Sequence, residues 1–322
     1  MPLDSSQGCH GEIAAYLWGD CGGEMFGVPY QLAQLQQHGL RATFFVDPMF
    51  SFALGLPALR EIVSLIQSHG QRVELHLHPE WLTDPRCPAL PAFKGPLIGE
   101  YAQDVQSHLI SVARDQLMEA GASPPTAFRA GSWGASSSTL RALARVGIGT
   151  DSSLNAHYDD SLADLPGRER MQRVASVHEV TEVPVTRFDD GITRGGRPLS
   201  LVGISSAEMR HVLESLERAG EPTAVVVMHS NEFVKTERLW ADRPLEPRRL
   251  VASRFEKLCR FLAERSERFP TRFITDYAGA VDTLEDSMIV KSSILRTQGR
   301  LGRVNTIAVP RRPVRSSERR GT

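Results

Sequence analysis

The sequence lacks the features that mark secreted and membrane proteins. It has only four cysteines, and none of them forms a C-x-x-C pair, which argues against a disulfide framework or a structural zinc knot. No apolar run approaches the roughly 18 residues that a membrane helix needs. The N-terminal segment is polar, so we expect no signal peptide. These absences predict a cytoplasmic protein with reduced thiols and no transmembrane segment.

The chain also carries almost no net charge, but its charge is unevenly distributed. The formal net charge is -1. Residues 291–322 nevertheless hold nine Lys or Arg and a single acidic residue, Glu318. A short basic segment rich in Arg, Ser and Pro is typical of a solvated tail, and we expect residues 286–322 to be disordered. No aromatic residue is interleaved with these charges, so we expect no nucleic-acid partner.

The composition that is present is that of a globular domain. Of 322 residues, 41% are hydrophobic and 23% are charged, which is ordinary for a soluble fold. Short β-branched or aromatic runs, such as ATFFV, alternate with longer segments of helical periodicity. The predicted strands are residues 13–18, 42–46, 73–78, 127–130, 147–150, 180–185, 223–229 and 273–275. The predicted helices are residues 57–68, 101–120, 136–146, 207–219 and 250–265.

This alternation predicts the fold class. Continuous apolar strands are typical of a parallel sheet that is covered on both faces. We therefore predict an α/β fold, a distorted (β/α) barrel of about seven parallel strands over residues 1–285. A doubly wound open sheet is the alternative. In both folds, functional residues gather at the C-terminal ends of the strands.

The strongest local signal is the sequence VELHLHPEW, which contains His76 and His78. Alternate residues of a strand point to the same side, so both imidazoles project together just before Pro79 ends the strand. Two converging imidazoles suit Zn²⁺. The alternative is a pair of histidines hydrogen-bonded to each other. Glu80 and Trp81 follow directly and are candidate substrate-binding residues.

Two further signals follow other predicted strands. Asp20 comes after the first strand, and Glu24 lies four residues beyond it across two glycines. Asp20 is a candidate metal ligand or general base, or else simply the first residue of a turn. Arg129 ends the strand before Trp133, where it can pair with a carboxylate while the indole lines a sugar-sized pocket. A structural ion pair and a core tryptophan are the alternative.

The last two signals supply an acid and a proton donor. Asp151 follows the short strand GIGT, and His229 ends the strand TAVVVM, followed by Ser230. A histidine at a buried strand end is well placed for proton transfer, and Asp151 would fix its tautomer. The polar residues singled out so far fall at the ends of successive predicted strands, which indicates one shared site. They are Asp20, His76, His78, Arg129, Asp151 and His229.

In this order of motifs, from about residue 12 to residue 280, the sequence resembles the polysaccharide deacetylase family, also called the NodB-homology or carbohydrate esterase family 4 type. The resemblance implies a distorted barrel with a divalent metal, usually zinc, that activates water to hydrolyse an N-acetyl amide. It implies metal binding by His76 and His78, catalysis by Asp20 and His229, and an Arg129 that braces the catalytic aspartate. It also implies that Trp133 lines the pocket and that Asp151 tunes the acid.

The sequence departs from this family pattern at two points. The family has two adjacent aspartates, whereas Asp20 is followed by Cys21. The metal histidines are also closer together than is usual. Either Asp20 is a ligand and another group is the base, or Asp20 is the base and Glu24 or Glu80 completes the coordination.

The resulting hypothesis is a metal-dependent hydrolase that removes an acetyl group from an N-acetylated sugar or polysaccharide precursor. Hydrolysis of another non-peptide C–N bond is one alternative. A barrel that has lost catalysis and acts as a binding protein in polysaccharide biosynthesis is the other. We expect a carbohydrate or small-molecule substrate, and the sequence specifies no oligomeric state.

Overall fold

Strands and helices alternate along the chain. The computed structural model describes residues 16–84, 92–193, 195–235, 245–277 and 289–292. Its strands are β1 Thr43–Val46, β2 Arg72–Leu77, β3 Ala127–Ala130, β4 Thr150–Asp151, β5 Ala175–Val177, β6 Val180–Glu182, β7 Arg187–Phe188 and β8 Arg197–Pro198. Its α-helices are α1 Val28–Gln37, α2 Phe50–Leu54, α3 Leu56–Ser68, α4 Gln103–Glu119, α5 Ser137–Val146, α6 Ser206–Arg218 and α7 Arg249–Ala263.

The main sheet has the strand order β1-β2-β3-β4-β6-β5. Each of the first four strand pairs in this order is parallel, and β5 pairs with β6 in the antiparallel direction at the edge. Helices α3, α4 and α5 lie between consecutive parallel strands in the chain, as parallel connections require. The predicted α/β class with a mostly parallel sheet is confirmed.

The sheet curls, as a distorted barrel does. One buried cluster contains Val183, Val225, Val227 and Ile274, and Phe45 of β1 packs against it. These side chains come from opposite ends of the described chain, and they meet because the sheet bends around them. The hydrogen-bonded ladder itself does not close among the described residues, although Val227 makes a parallel bridge to Ser200.

Local side-chain and backbone features determine where helix α5, which follows β3, begins and ends. The Ser136 N–H donates to Thr139 Oγ1 at 2.9 Å, which fixes the first turn. Gly147 ends the helix with φ of 79°, a conformation that costs glycine least. The prediction of a helix over residues 136–146 is confirmed, and its C-terminal end places β4 beside β3.

Four strand predictions are wrong, wholly or mostly, within the described residues. The segment 223–229 forms no strand and makes only the isolated bridge of Val227 to Ser200. Residues 16 and 17, the described start of the first predicted strand, are helical; residues 13–15 lie outside the described ranges. The segment 273–275 lies in a 3-10 helix, Ile274–Tyr277, because the Asp276 carboxylate accepts the Phe273 N–H at 3.0 Å and closes a turn. The segment 147–150 forms a strand only at its end, Thr150–Asp151.

Most of the predicted basic tail lies outside the described residues. Residues 289–292 are the described part of it, and they pair with the loop after β7. The Asp189 N–H donates to the Val290 carbonyl at 2.9 Å, and the Ser292 N–H donates to the Asp189 carbonyl at 2.7 Å. Within the described ranges, no helix combines the length and the apolar character needed to cross a membrane.

Candidate active site

Two imidazoles meet at the C-terminal end of β2. His76 pairs with Arg129 of β3 in the sheet register, and His78 follows the last residue of β2. Their ring centroids are 4.8 Å apart at an interplanar angle of 83°. The two Nε2 atoms are 3.1 Å apart. The period of two in the strand therefore brings both rings to one point.

The partners of the Nδ1 atoms orient both rings. His76 Nδ1 lies 2.5 Å from the Arg129 carbonyl oxygen, and His78 Nδ1 lies 3.3 Å from Glu80 Oε2. Both partners are acceptors, so the hydrogen-bond network assigns a proton to each Nδ1. Two neutral rings in that state would point their Nε2 lone pairs at each other. Such a pair needs a cation between the rings, either a proton or a metal ion.

The electrostatics indicate where a proton would reside in the absence of a metal. Burial lowers the pKa of His76 well below its usual range, and charges on His78 and His229 add to that effect. Burial acts on His78 in the same direction, but the hydrogen bond to Glu80 and the Asp47 charge outweigh it and raise the His78 pKa. A proton shared by the pair would therefore reside on His78 in preference to His76.

The donor set of the histidine pair fits a metal in part. Two imidazole nitrogens on one tetrahedral Zn²⁺ lie roughly 3.3 Å apart, since each Zn–N bond is about 2.0–2.1 Å. Nδ1–H groups held by a carbonyl and a carboxylate are the usual support of metal-bound histidines. Within the described ranges, however, no group of three or more His, Cys, Asp or Glu is arranged to hold a metal ion. The pair supplies two ligands, and a third protein ligand is not assembled there.

Asp47 is a site residue that the sequence reasoning missed. It follows β1 directly, and its carboxylate accepts the N–H of Met49 at 2.9 Å and also the N–H of His78. Burial raises the pKa of Asp47 to about 6, while the neighbouring His78 charge lowers it. The signal available in the sequence was an Asp at the end of the hydrophobic strand TFFV, the same signal that singled out Asp151.

Arg129 is the register partner of His76 and hydrogen-bonds Ser152, the residue that follows β4. Its Nε donates to the Ser152 carbonyl at 3.0 Å and its Nη2 to Ser152 Oγ at 2.8 Å. The guanidinium carbon lies 4.3 Å from the Phe45 ring centroid and 5.2 Å from that of Trp133. Burial lowers the pKa of Arg129 to about 10, against the opposing charges of nearby acids. The described contacts of Arg129 are thus with Ser152 and two aromatic rings, not with Asp20.

Asp151 is fully buried and faces Glu182 of β6. Its Oδ1 accepts the Ser153 hydroxyl at 2.7 Å, and Asp151 and Glu182 are partners in the strand register. Burial raises the pKa of both carboxyls, and the two groups interact strongly. The sequence singled out Asp151 but gave no indication of Glu182, because the pairing of β4 with β6 skips β5.

His229 lies at the rim with its own carboxylate partner. Its Nδ1 is 3.0 Å from Glu232 Oε1, within the 3-10 turn that begins at Ser230. The side chain of His229 is 60% exposed, and that of Glu232 is 15% exposed. Ser230 is half-buried. The structure therefore gives His229 the orienting acid that the sequence reasoning sought in Asp151.

Asp20 and Glu24 lie in an exposed turn after the first described helical residues. Asp20 Oδ1 accepts the Gly23 N–H at 2.7 Å, and both carboxylates are exposed. Gly19, beside Asp20, packs against Val234, five residues beyond His229. This turn therefore lies beside the segment that follows His229, but within the described residues no hydrogen bond or ion pair joins Asp20 or Glu24 to His76 or His78.

Trp133 is buried in the hydrophobic cluster that contains Val183 and Val225, as the core alternative predicts, and the more exposed Tyr158 covers it. The rings of Trp133 and Tyr158 are nearly parallel, with an interplanar angle of 16° and centroids 6.3 Å apart. Trp133 follows Ser132, and both adopt left-handed backbone angles, φ of 60° and 52°, which are strained for residues with a side chain. Trp81, another predicted pocket residue, packs on Phe50 and the main core.

No protein-family model matches the sequence, and no curated protein does. Among solved structures, the chain is similar to a family 4 carbohydrate esterase from Streptomyces lividans in complex with acetate. The identity is 14%, with 74% of this chain and 81% of that chain covered and a TM-score of 0.40.

Two other solved structures are similar at the same level. A Mycobacterium smegmatis protein described as a polysaccharide deacetylase is 15% identical, with 77% of this chain and 79% of that chain covered and a TM-score of 0.43. A family 4 pseudoenzyme from Bacillus anthracis is 12% identical, with 83% and 64% covered and a TM-score of 0.42. At these identities and TM-scores, the similarity assigns no activity to the chain.

Proposed function

We propose that the protein is a metal-dependent hydrolase that removes an acetyl group from an N-acetylated sugar or a polysaccharide precursor. The single observation that carries the proposal is the convergence of the His76 and His78 Nε2 atoms at 3.1 Å, with each Nδ1 facing an acceptor. This arrangement leaves two lone pairs for one cation. Metals of the zinc type favour such nitrogen ligands.

In this proposal His76 and His78 hold the metal and solvent completes the coordination, since the described residues bring no third protein ligand beside the pair. A bound divalent cation would supply Lewis-acid polarisation of the acyl carbonyl and a more acidic water. Asp20 is the proposed proton acceptor, because its carboxylate is exposed at the rim. The hydrogen bond of Glu80 to His78 fixes the ring, so we assign Glu80 a supporting role and not a ligand role.

His229 is the proposed proton donor to the leaving amine. Its ring is mostly exposed, so Nε2 is accessible to a substrate. The Tyr158 side chain is 45% exposed and is backed by the buried Trp133 ring, so Tyr158 offers an apolar face against which a pyranose ring can pack. Arg129, Asp151 and Glu182 form the buried support beneath that face.

The test combines metal binding with product release. Zinc affinity is measured by calorimetry for the wild type, His76→Ala and His78→Ala. The matched control is His108→Ala, at an exposed histidine of helix α4. We expect each of the two site variants to lose at least 100-fold in affinity and His108→Ala to bind as the wild type does. We also expect acetate release from chito-oligosaccharides by the zinc-loaded wild type and its loss in a chelator.

A binding protein without catalysis is the second candidate. The observation that favours it is that the described residues do not assemble a third protein ligand beside the histidine pair. If the wild type binds chito-oligosaccharides but neither binds zinc nor releases acetate, this candidate replaces the hydrolase. Release of a product other than acetate would instead indicate hydrolysis of another C–N bond.

A further inference from the structure

His229 and Glu232 form a dyad within one short turn. The Glu232 N–H donates to the His229 carbonyl at 3.2 Å, and His229 Nδ1 lies 3.0 Å from Glu232 Oε1. Both the backbone and the side chains therefore fix the ring relative to the carboxylate. Because the carboxylate is mostly buried and the ring is mostly exposed, Nδ1 faces the protein and Nε2 faces outward.

Asp151 cannot take this place. It has no exposed surface, and its oxygens accept the Ser153 hydroxyl and the Ser153 N–H at 2.7 and 3.2 Å. Its other neighbour is the Glu182 carboxyl across the sheet register. Every described partner of Asp151 thus belongs to the buried network, and none of them is His229.

The dyad lies in the neighbourhood of the histidine pair. Burial is the largest cause of the lowered His76 pKa, and the charges of His78 and His229 add to it. Glu232 likewise lies near Tyr158, since burial and then the Glu232 charge raise the Tyr158 pKa.

We propose that Glu232 is the positioning residue of His229 and holds the neutral ring in the Nδ1–H tautomer, so that Nε2 is the atom that takes up and delivers a proton. His229 Nε2–H then gives its proton to the leaving nitrogen as the C–N bond breaks. The Nδ1 proton stays on the ring, hydrogen-bonded to Glu232. The proton-donor role rests on the proposed function, whereas the tautomer does not.

The first test reads the tautomer directly, without substrate. Histidine-selective ¹⁵N NMR distinguishes Nδ1–H from Nε2–H, and the His229 signals are assigned by their absence in His229→Ala. We expect Nδ1–H in the wild type and in Glu232→Gln, whose amide oxygen can still accept. In Glu232→Ala we expect a shift to Nε2–H, whereas Asp151→Asn keeps Nδ1–H. An unchanged tautomer in Glu232→Ala, or a shifted one in Asp151→Asn, overturns the assignment.

The second test measures proton donation by comparing two substrates, one whose leaving group needs a proton and one whose leaving group does not. Glu232→Ala and Glu232→Gln should lower kcat for an N-acetyl amide by roughly 10²-fold, the lower end of the usual range for acid–base catalysis. An aryl acetate, whose leaving group needs no proton, should lose less than threefold. Equal losses on both substrates would contradict the positioning role. If neither substrate is hydrolysed by the wild type but the tautomer results hold, the proposed function fails and the dyad stands.

Discussion

Glu182 and Asp151 place two carboxyl groups side by side in the protein interior. Burial is the largest cause of the raised pKa of each, and the Asp151 charge raises that of Glu182 further. The Arg129 guanidinium opposes both shifts, but it carries a single charge. One carboxyl of the pair therefore keeps its proton in the folded protein well above the usual pH, and Glu182 is the one we assign.

This proton makes stability depend on pH. The unfolded chain releases the Glu182 proton near the ordinary Glu pKa of about 4.3, whereas the folded protein retains it. The free energy of unfolding therefore falls as the pH rises above that pKa, by up to ~1.4 kcal/mol per pH unit. Glu182→Gln removes the titration and keeps the shape. We expect the variant to gain stability over the wild type between about pH 5 and 8, measured by urea denaturation.

The matched control for this prediction is Glu119→Gln, which changes an exposed glutamate at the end of helix α4. Its unfolding free energy should follow that of the wild type at every pH. Parallel pH curves for Glu182→Gln and the wild type would show that Glu182 is not the proton carrier.

At the scale of elements, the contact between β2 and the turn after β3 depends on Gly131. A Cβ at this position would lie 2.6 Å from the Leu77 carbonyl oxygen and 2.7 Å from the His78 ring. The backbone that follows β3 therefore passes so close to the end of β2 that only glycine fits. The chain holds the His78 ring between this glycine and Glu80.

We predict that Gly131→Ala displaces the His78 ring and weakens zinc binding at least 10-fold, as loss of support around metal-bound histidines does. Calorimetric titration with zinc measures the effect, and circular dichroism checks that the variant is folded. Gly149→Ala is the matched control, since a Cβ there meets no atom within 4 Å. Equal zinc affinity in the two variants would contradict the prediction.

At the scale of the whole molecule, the curl of the sheet makes distant segments share one core. Ile274 is 8% exposed and packs in the cluster that includes Val225, Val227 and the β1 residue Phe45. The packing of Ile274 therefore contributes to the stability of both the first and the last parts of the described fold. Truncation of the Ile274 side chain should therefore lower the free energy of unfolding of the whole described fold, and not only loosen the 3-10 turn that carries Ile274.

We predict that Ile274→Ala lowers the free energy of unfolding by about 2–4 kcal/mol, the usual range for emptying a buried site of this size. Tryptophan fluorescence and circular dichroism should report one coincident transition. Ile192→Ala, at a side chain that is 64% exposed, is the matched control and should change stability by less than about 0.5 kcal/mol. Separate transitions by the two probes would contradict a shared core.

The sequence predicts most of the parallel sheet and the helices between its strands, because these depend on local periodicity. It also predicts the convergence of His76 and His78, because the period of two in a strand requires it. It mispredicts segment 273–275, where a single capping residue, Asp276, closes a turn in an otherwise strand-like run. A local sequence pattern predicts the conformation least well where a single side-chain hydrogen bond determines it.

By itself, the sequence determined the α/β class and the position of His76, His78 and Arg129 at the ends of two neighbouring strands, since periodicity and chain polarity set both. Only the tertiary structure decided which other polar residues are neighbours. It buried Asp151 against Glu182, gave His229 the partner Glu232, and brought Asp47 to His78. Such choices depend on strand order and on the path of each turn across the rim, and these follow from packing of the whole chain, which no local pattern encodes.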